Sequence, residues 1–185
     1  MQLNNCFNFD RLLLFGNVPD WNLTNVDLLI MVIIIAAIGS NRVIGTGKGL
    51  PWHIPEEYNQ FLGYVRNQTV LIGRRSFEIF KYGMLPRRVV VVSSTLKTDR
   101  ASVFGSFQEA LSYARTFPED IFICGGQSIY EESIPYTDYM YLSFIKGEHV
   151  GNVYFPEFDE GEWTIEKKEE HDEFVFVIYK RKSLD

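Results

Sequence analysis

The chain has 185 residues, of which 46% are hydrophobic and 23% charged, and this composition is typical of one globular domain and excludes intrinsic disorder. Eighteen basic and twenty-four acidic side chains leave a net charge of −6, which argues against nucleic acid or an acidic membrane as a partner. The longest apolar run, Leu28 to Ile38, is shorter than the roughly 20 residues that span a bilayer.

Two cysteines, Cys6 and Cys124, lie far apart and match no spacing of a metal or redox site. We therefore expect no bound metal and no disulfide framework, and we expect a cytoplasmic protein. Residues 1–30 are rich in Asn and poor in charge, without the features of a secretory signal. We predict that they form a poorly ordered extension, or reflect an upstream start codon, and that the domain comprises residues 31–185.

Strand-like and helix-like patterns alternate along the chain from Met31 onward. Continuous Val/Ile-rich runs, which are typical of a sheet covered on both faces, predict strands at Met31 to Ile38, Val70 to Ile72, Val89 to Val92 and Ile121 to Cys124. Helices are predicted at Pro55 to Val65, Arg75 to Tyr82, Phe107 to Thr116 (with Ser106 as its N-cap) and Ser128 to Ser133. Strand patterns follow at Tyr139 to Ile145, Trp163 to Glu170 and Phe174 to Arg181. The order predicts an α/β fold: a single domain with an open, mixed, mostly parallel sheet, helices on both faces and a C-terminal antiparallel hairpin.

Glycines mark two of the predicted strand-to-helix turns. Gly125 and Gly126 follow the strand that ends at Cys124, and Gly73 to Ser76 (Gly-Arg-Arg-Ser) follows Ile72. Backbone N–H groups at such turns, together with guanidinium and hydroxyl donors, suit the phosphates of a dinucleotide. A tight turn that needs a positive φ explains the glycine pair equally well, and surface arginines remain the alternative for the second turn.

A carboxylate stands close to the apolar face of the first predicted helix. Glu57 lies on the same stripe as Phe61 and Val65, whereas Glu56 is the natural solvent-exposed neighbour. Carboxylates are rarely buried without a partner, so Glu57 lies either at the edge of the stripe or at the bottom of a functional cleft. Before this helix, Gly45 to Trp52 has the alternating glycines of a mobile lid.

Taken together, these motifs resemble dihydrofolate reductase, in its bacterial and phage form, from Met31 to about Lys182. The resemblance is carried by Ile35-Ala36-Ala37, Asn41 to Gly45, Leu50-Pro51-Trp52, Ile54 to Glu57, Phe61, Gly73-Arg74, Ser93-Ser94, Gly125-Gly126, Ile129-Tyr130-Glu131 and Tyr154-Phe155-Pro156. It implies an eight-stranded sheet and an enzyme that transfers a hydride from NADPH to C6 of 7,8-dihydrofolate with protonation of N5. The product, tetrahydrofolate, would serve one-carbon metabolism and thymidylate synthesis.

By this resemblance, Glu57 is the acidic group that bonds the pterin ring, Trp52 helps to hold a water that supports protonation, and Tyr130 lies near the nicotinamide. Apolar surroundings would raise the pKa of Glu57 toward neutral pH. The resemblance assigns to the substrate Ile35, Ala36, Glu57, Tyr58, Phe61, Phe80, Met84, Arg87, Cys124 and Ser143. Arg87 would grip the α-carboxylate of the substrate's glutamate, and Arg88 could take its place if the local register shifts.

The resemblance assigns to NADPH Ala37, Ile44, Gly45, Leu50, Gly73, Arg74, Arg75, Ser76, Ser93, Ser94, Gly125, Gly126, Gln127, Ser128 and Ile129. Arg74 and Ser94 would contact the adenosine 2′-phosphate and so favour NADPH over NADH. Gln127 and Asn152 depart from the glycine and aspartate that many members of the family carry. We expect a monomer whose partners are small molecules. The alternatives are a reductase of the same fold that acts on a pyrimidine of the riboflavin pathway, and a protein that keeps the fold without catalysis.

Overall fold

The computed structural model describes residues 30–80 and 83–183. Its strands are β1 (Val32–Gly39), β2 (Val43–Gly45), β3 (Thr69–Gly73), β4 (Arg88–Val92), β5 (Ser102–Phe104), β6 (Ile121–Ile123), β7 (Tyr139–Ile145), β8 (Val153–Tyr154), β9 (Trp163–Glu170) and β10 (Phe174–Arg181). Its helices are α1 (Pro55–Val65), α2 (Arg74–Phe80), α3 (Phe107–Ala114) and α4 (Gln127–Ser133), with 3-10 turns at Ile134–Tyr136 and Glu160–Glu162.

Eight of these strands form one sheet in the order β5-β4-β3-β6-β1-β7-β10-β9, and β2 pairs with β8 in a separate two-stranded ribbon. Pairing is parallel from β5 across to β7, whereas β10 runs antiparallel to both β7 and β9. The predicted α/β class, the eight strands and the C-terminal hairpin are therefore confirmed. No helix among residues 30–80 and 83–183 is long and apolar enough to cross a membrane.

Both faces of the sheet are covered by helices, as the continuous apolar strands require. Alternate residues of β1 enter different clusters: Ile34 packs with α3 and α4 on one face, and Ile33 packs with α1 and α2 on the other. Apolar side chains of α3 belong to the first cluster, and Val65 of α1 and Phe77 of α2 belong to the second. The core thus lies in two layers, with the sheet between them.

Local signals account for most of the element bounds. Pro55 occupies the first turn of α1, and the Ser106 side chain accepts a hydrogen bond from the N–H of Glu109 at the start of α3, as predicted. The second predicted helix begins one residue earlier than expected and is described to Phe80, because residues 81 and 82 lie outside the described ranges. The predicted N-terminal extension also lies outside them, apart from Ile30.

Candidate active site

A cavity of about 840 Å³ opens where the parallel strands end and the helices begin. This is the edge at which an open α/β sheet binds its ligands, and the volume lies within the range of small-molecule and cofactor sites. β1, β3, β4 and β6 all contribute residues at or beyond their carboxyl ends, among them Ala37, Gly73, Ser93 and Gly125. The sheet therefore brings together segments that are distant in sequence.

The two glycine turns touch each other at the floor of this cavity. The N–H of Gly73 donates a 2.6 Å hydrogen bond to the carbonyl of Gly125. Gly125 has a φ of +84°, and a Cβ built there would lie 2.9 Å from the ring of Tyr130. Gly126, which follows through a cis peptide bond, would place a Cβ 3.3 Å from the hydroxyl of Ser76. Both the positive φ and the close approach of backbones thus require glycine.

Glu57 lies in the cavity wall with only 6% of its surface exposed. Burial raises the pKa of its carboxyl above the ordinary value, and the hydroxyl of Ser143, which donates a hydrogen bond to it, opposes part of that rise. Glu56 points outward, and one of its oxygens lies 2.8 Å from Nδ1 of His171. The two neighbouring glutamates therefore have different environments, and Glu57 is the one placed for proton chemistry.

Tyr130 connects α4 to β1 beside this carboxylate. Its hydroxyl donates a 2.8 Å hydrogen bond to the main-chain carbonyl of Ile35, and burial raises the pKa of the phenol, which keeps it protonated as a donor. Cys124 also lines the cavity, and burial raises the pKa of its thiol, so the side chain acts as a small apolar group. Ile35, Cys124 and Glu57 thus line the same cavity.

An aromatic slot extends from Glu57 between α1 and α2. The rings of Tyr58 and Phe61 are stacked with centroids 6.0 Å apart, and Phe80 lies 6.4 Å from Phe61. All three side chains line the cavity. The slot therefore has flat apolar walls of the kind that pack against an aromatic ring.

At the opposite end, the cavity is polar and carries cations. Arg74, at the start of α2, bonds Glu78 one turn along the helix at 3.1 Å, and both side chains are partly exposed. Arg75, Ser93 and Ser94 also line this end. Two guanidinium groups and two hydroxyl groups thus give this wall of the cavity the donors that suit an anion.

Most of the residues predicted for the site line the cavity. They are Ile35, Ala36, Ala37, Ile44, Gly45, Leu50, Glu57, Tyr58, Phe61, Gly73, Arg74, Arg75, Ser76, Phe80, Ser93, Ser94, Cys124, Gly125, Gly126, Gln127, Ser128, Ile129 and Tyr130. Four others, Trp52, Met84, Arg87 and Ser143, are not part of the lining. Ser143 instead supports Glu57 from β7, and Met84 is buried in the core beneath α1 and α2.

Trp52 is the last residue of the predicted lid segment, Gly45 to Trp52. Its ring meets that of His149 edge-on with centroids 4.8 Å apart, and His149 is held in turn by Asn41, whose amide donates to the His149 carbonyl at 2.8 Å. The indole Nε1 is buried and has no hydrogen-bond acceptor within the described part of the chain. The resemblance assigns a bound water to this donor, and that role stays a prediction.

Arg87 and Arg88 both pair with Glu119, with an Arg87 Nε to Oε1 distance of 2.9 Å. Both the arginine predicted to bind the substrate and its predicted alternative are therefore in an internal ion pair in this structure. The cavity also includes residues that the sequence did not single out: Ile79, Val92, Thr95, Glu132 and Val153. Val92 and Thr95 lie on either side of the predicted pair Ser93 and Ser94. The apolar strand that ends just before Ser93 is the sequence signal that could have indicated them.

Comparison with known proteins agrees with this geometry. A family model described as dihydrofolate reductase matches residues 31–181. The dihydrofolate reductase of Bacillus subtilis is 31% identical over 163 residues, covering 83% of this chain and 96% of the relative, and HdrB of Haloferax volcanii is 30% identical over 170 residues, covering 86% and 88%. A solved dihydrofolate reductase from Enterococcus faecalis, complexed with NADP(H) and RAB-propyl, superposes with a TM-score of 0.76 at 28% identity and covers 83% of this chain and 97% of that one.

The fold and these comparisons together define an oxidoreductase that uses a nicotinamide dinucleotide. More particularly, the chain belongs to the dihydrofolate reductase family, which consists of NADPH-dependent enzymes. The family resemblance seen in the sequence is confirmed.

Proposed function

We propose that the chain reduces 7,8-dihydrofolate to 5,6,7,8-tetrahydrofolate with NADPH, in the service of one-carbon metabolism and thymidylate synthesis. The observation that carries the proposal is Glu57: a buried carboxylate with a raised pKa, bonded by Ser143, in the same cavity as the aromatic slot. Such a carboxylate can accept hydrogen bonds from a ring N–H and an adjacent amino group, and it can take part in proton transfer near neutral pH.

The residues around Glu57 position the pterin ring. The Glu57 carboxylate accepts hydrogen bonds from N3 and the 2-amino group, and in inhibitor complexes the carbonyls of Ile35 and Cys124 accept from the 4-amino group of the pterin ring. Tyr130 already bonds Ile35, which fixes that carbonyl in place. A water bonded to the indole N–H of Trp52 passes the proton toward N5, because that donor is buried and has no acceptor among the described residues.

The aromatic slot and Arg87 take the rest of the substrate. Tyr58, Phe61 and Phe80 pack against the benzoyl ring, with Met84 behind them. Arg87 binds the α-carboxylate of the glutamate, since a guanidinium matches a carboxylate in a bidentate pair. We propose that Arg87, rather than Arg88, has this role, because Arg87 is 63% exposed and Arg88 is 30% exposed.

The polar end of the cavity fits a dinucleotide phosphate. Backbones at Gly73 and Gly125 approach closely, and a Cβ at Gly125 would collide with Tyr130, so only glycine allows the two turns to pack together at this end of the cavity. The turns precede α2 and α4, and backbone N–H groups at such turns bind the pyrophosphate. Arg74 and Ser94 hold the 2′-phosphate, and Ala37, Ile44 and Gly45 contact the carboxamide of the nicotinamide. When bound, NADPH supplies the hydride that C6 of the substrate receives. Leu50 and the lid exclude water from that step.

We further propose that the enzyme is a monomer located in the cytoplasm. Cys124 is a buried thiol that forms no disulfide within residues 30–80 and 83–183, and such thiols are typical of proteins in a reducing compartment. Gel filtration with light scattering would test the first statement, and localisation of the tagged full chain would test the second.

The experiment that tests the proposed activity follows the absorbance of NADPH on addition of dihydrofolate, with and without a diaminopyrimidine antifolate. We expect turnover that the antifolate inhibits, a loss of at least about 100-fold in kcat/KM for Glu57→Gln, and little change for Glu56→Gln, which alters the exposed neighbour by the same chemistry. Absence of turnover in the unaltered enzyme would overturn the proposal. Full activity of Glu57→Gln at neutral pH would overturn the role of the carboxylate.

A further inference from the structure

Glu119 brings together two arginines outside the cavity. The residue lies just before β6, and its carboxylate is shared, with Oε1 2.9 Å from Nε of Arg87 and Oε2 bonded by Nη1 of Arg88. Its side chain is only 10% exposed, whereas that of Arg87 is 63% exposed. A nearly buried carboxylate therefore holds a surface guanidinium.

This cluster lies at the edge of the sheet opposite the cavity. Thr69, the first residue of β3, pairs with Arg88 on one side and with Ile121 on the other, so these three residues mark the amino ends of parallel strands. Both α1 and α2 begin at the carboxyl edge and run toward this amino edge, and the aromatic slot lies between them. The outer end of the slot consequently opens toward the side on which Arg87 stands.

The second arginine makes it possible for Arg87 to leave Glu119. Arg88 bonds the same carboxylate, and its guanidinium lies 3.9 Å from the ring centroid of Phe117. If Arg87 turns away, Glu119 still has a cation beside it and is not left as a buried unpaired charge, which is the costly outcome. With two guanidiniums and one carboxylate, the cluster carries one unbalanced positive charge that a second carboxylate can neutralise.

We propose that Glu119 is a resident carboxylate that competes with the glutamate carboxylate of the substrate for Arg87, and so sets the contribution of the substrate tail to binding. The proposal rests on the proposed function, because it takes Arg87 as the group that binds the tail. Arg88 anchors Glu119 in both states. Arg87 exchanges between an internal partner and the ligand.

The test compares the binding of two ligands to the full chain without NADPH: dihydrofolate and 6-methyl-7,8-dihydropterin, which has the pterin ring without the aminobenzoylglutamate tail. Glu119→Gln keeps the size of the side chain and removes its charge. We expect its Kd for dihydrofolate to fall by roughly three- to tenfold, because one charge at hydrogen-bond distance from Arg87 is removed and water screens the charge of this largely exposed guanidinium. The Kd for the dihydropterin stays within about twofold of that of the unaltered enzyme, and raising the salt concentration reduces the difference. Weaker or unchanged dihydrofolate binding, or an equal change for both ligands, would overturn the proposal.

A measurement on the unaltered enzyme tests the proposal even if the Glu119→Gln variant does not fold. The Nε–H resonances of Arg87 and Arg88 are followed by nitrogen-15 NMR during titration with each ligand. Dihydrofolate should shift the resonance of Arg87 by more than that of Arg88, whose bond to Glu119 persists, and the dihydropterin should shift neither. A resonance of Arg87 that does not respond to dihydrofolate, or one of Arg88 that moves as far as that of Arg87, contradicts the exchange.

Arg87→Ala separates this inference from the proposed function. If the variant loses the preference for dihydrofolate over the dihydropterin but Glu119→Gln changes nothing, the tail is bound by Arg87 and only the competition by Glu119 is wrong. If Arg87→Ala keeps the preference, the assignment of Arg87 to the substrate is wrong, and the competition fails with it. Melting temperatures of both variants show whether each is folded.

Discussion

The hydroxyl of Tyr130 donates a 2.8 Å hydrogen bond to the main-chain carbonyl of Ile35, and this bond joins α4 to the central strand β1 at the wall of the cavity. The ring of Tyr130 also packs 5.1 Å from that of Phe155 and covers the backbone of Gly125. A single side chain thereby fixes the glycine turn, a strand carbonyl and part of the cavity wall.

Tyr130→Phe should keep this packing and remove only the hydrogen bond. We expect the free energy of unfolding to fall by about 1 kcal/mol, the usual net value of one intramolecular hydrogen bond. Urea denaturation measures the change. Tyr136→Phe, at a tyrosine that is 43% exposed, is the matched control and should alter stability by less than about 0.5 kcal/mol. Equal effects of the two substitutions would show that the bond to Ile35 adds nothing to stability.

Glu57→Gln should make the protein more stable at neutral pH. Burial raises the pKa of Glu57 in the folded chain above its ordinary value of 4.5, so the folded state binds the proton more tightly than the unfolded state. The stabilisation that the protonated carboxyl provides is complete below pH 4.5 and is lost as the pH rises through the folded-state pKa. Each unit of pKa difference corresponds to about 1.4 kcal/mol.

Urea denaturation between about pH 4 and about pH 8 would therefore find the two proteins similar at the acidic end and the Glu57→Gln variant more stable at the neutral end. Glu56→Gln is the control. Its side chain is 63% exposed, and the difference from the unaltered protein should stay within about 0.5 kcal/mol across this range. A Glu57→Gln variant that is destabilised at every pH would contradict the burial argument.

Gly125→Ala should destabilise the fold by about 1–3 kcal/mol, because an alanine at a φ of +84° is strained and its Cβ would lie 2.9 Å from the Tyr130 ring. Gly63→Ala provides the opposite case. Gly63 lies within α1, and a Cβ there meets no atom within 4 Å. Replacing a helix glycine with alanine should raise stability by about 0.5–1 kcal/mol. If both alanines act in the same direction, backbone conformation at Gly125 is not the determinant.

The extent to which these features follow from the sequence differs from one element to another. Pro55 and the apolar stripe that follows it predict both the first and the last residue of α1, because capping and periodicity are local signals. β2, β5 and β8 have two or three residues each and went unpredicted. These strands form because they pair with distant segments, as Gly45 pairs with Val153, and no local sequence pattern indicates such pairing.

The site shows the same division. Glycine turns after apolar strands are visible in the sequence, and the sheet order then brings Gly73 and Gly125 into contact. Whether Glu57 is buried could not be decided from α1 alone, because its partner Ser143 comes from β7. The pairing of Arg87 with Glu119 was likewise invisible, since it depends on the direction of a long side chain and on the neighbouring strand order.

Arg74→Ala should weaken the binding of NADPH by about 10- to 100-fold, the value of one or two charge-assisted hydrogen bonds to a phosphate, and should affect NADH much less because NADH lacks the 2′-phosphate. Fluorescence titration of the two cofactors gives both constants. Glu78→Gln is the matched control, since it removes the ion pair at 3.1 Å and leaves the guanidinium in place. Because Arg74 is then released from a competing carboxylate, NADPH should bind the Glu78→Gln variant as tightly as the unaltered enzyme or a few-fold more tightly. An equal loss of NADPH and NADH binding in Arg74→Ala would place that guanidinium on the pyrophosphate rather than on the 2′-phosphate, and the preference for NADPH would then have to come from Ser94 and the other exposed donors at this end of the cavity.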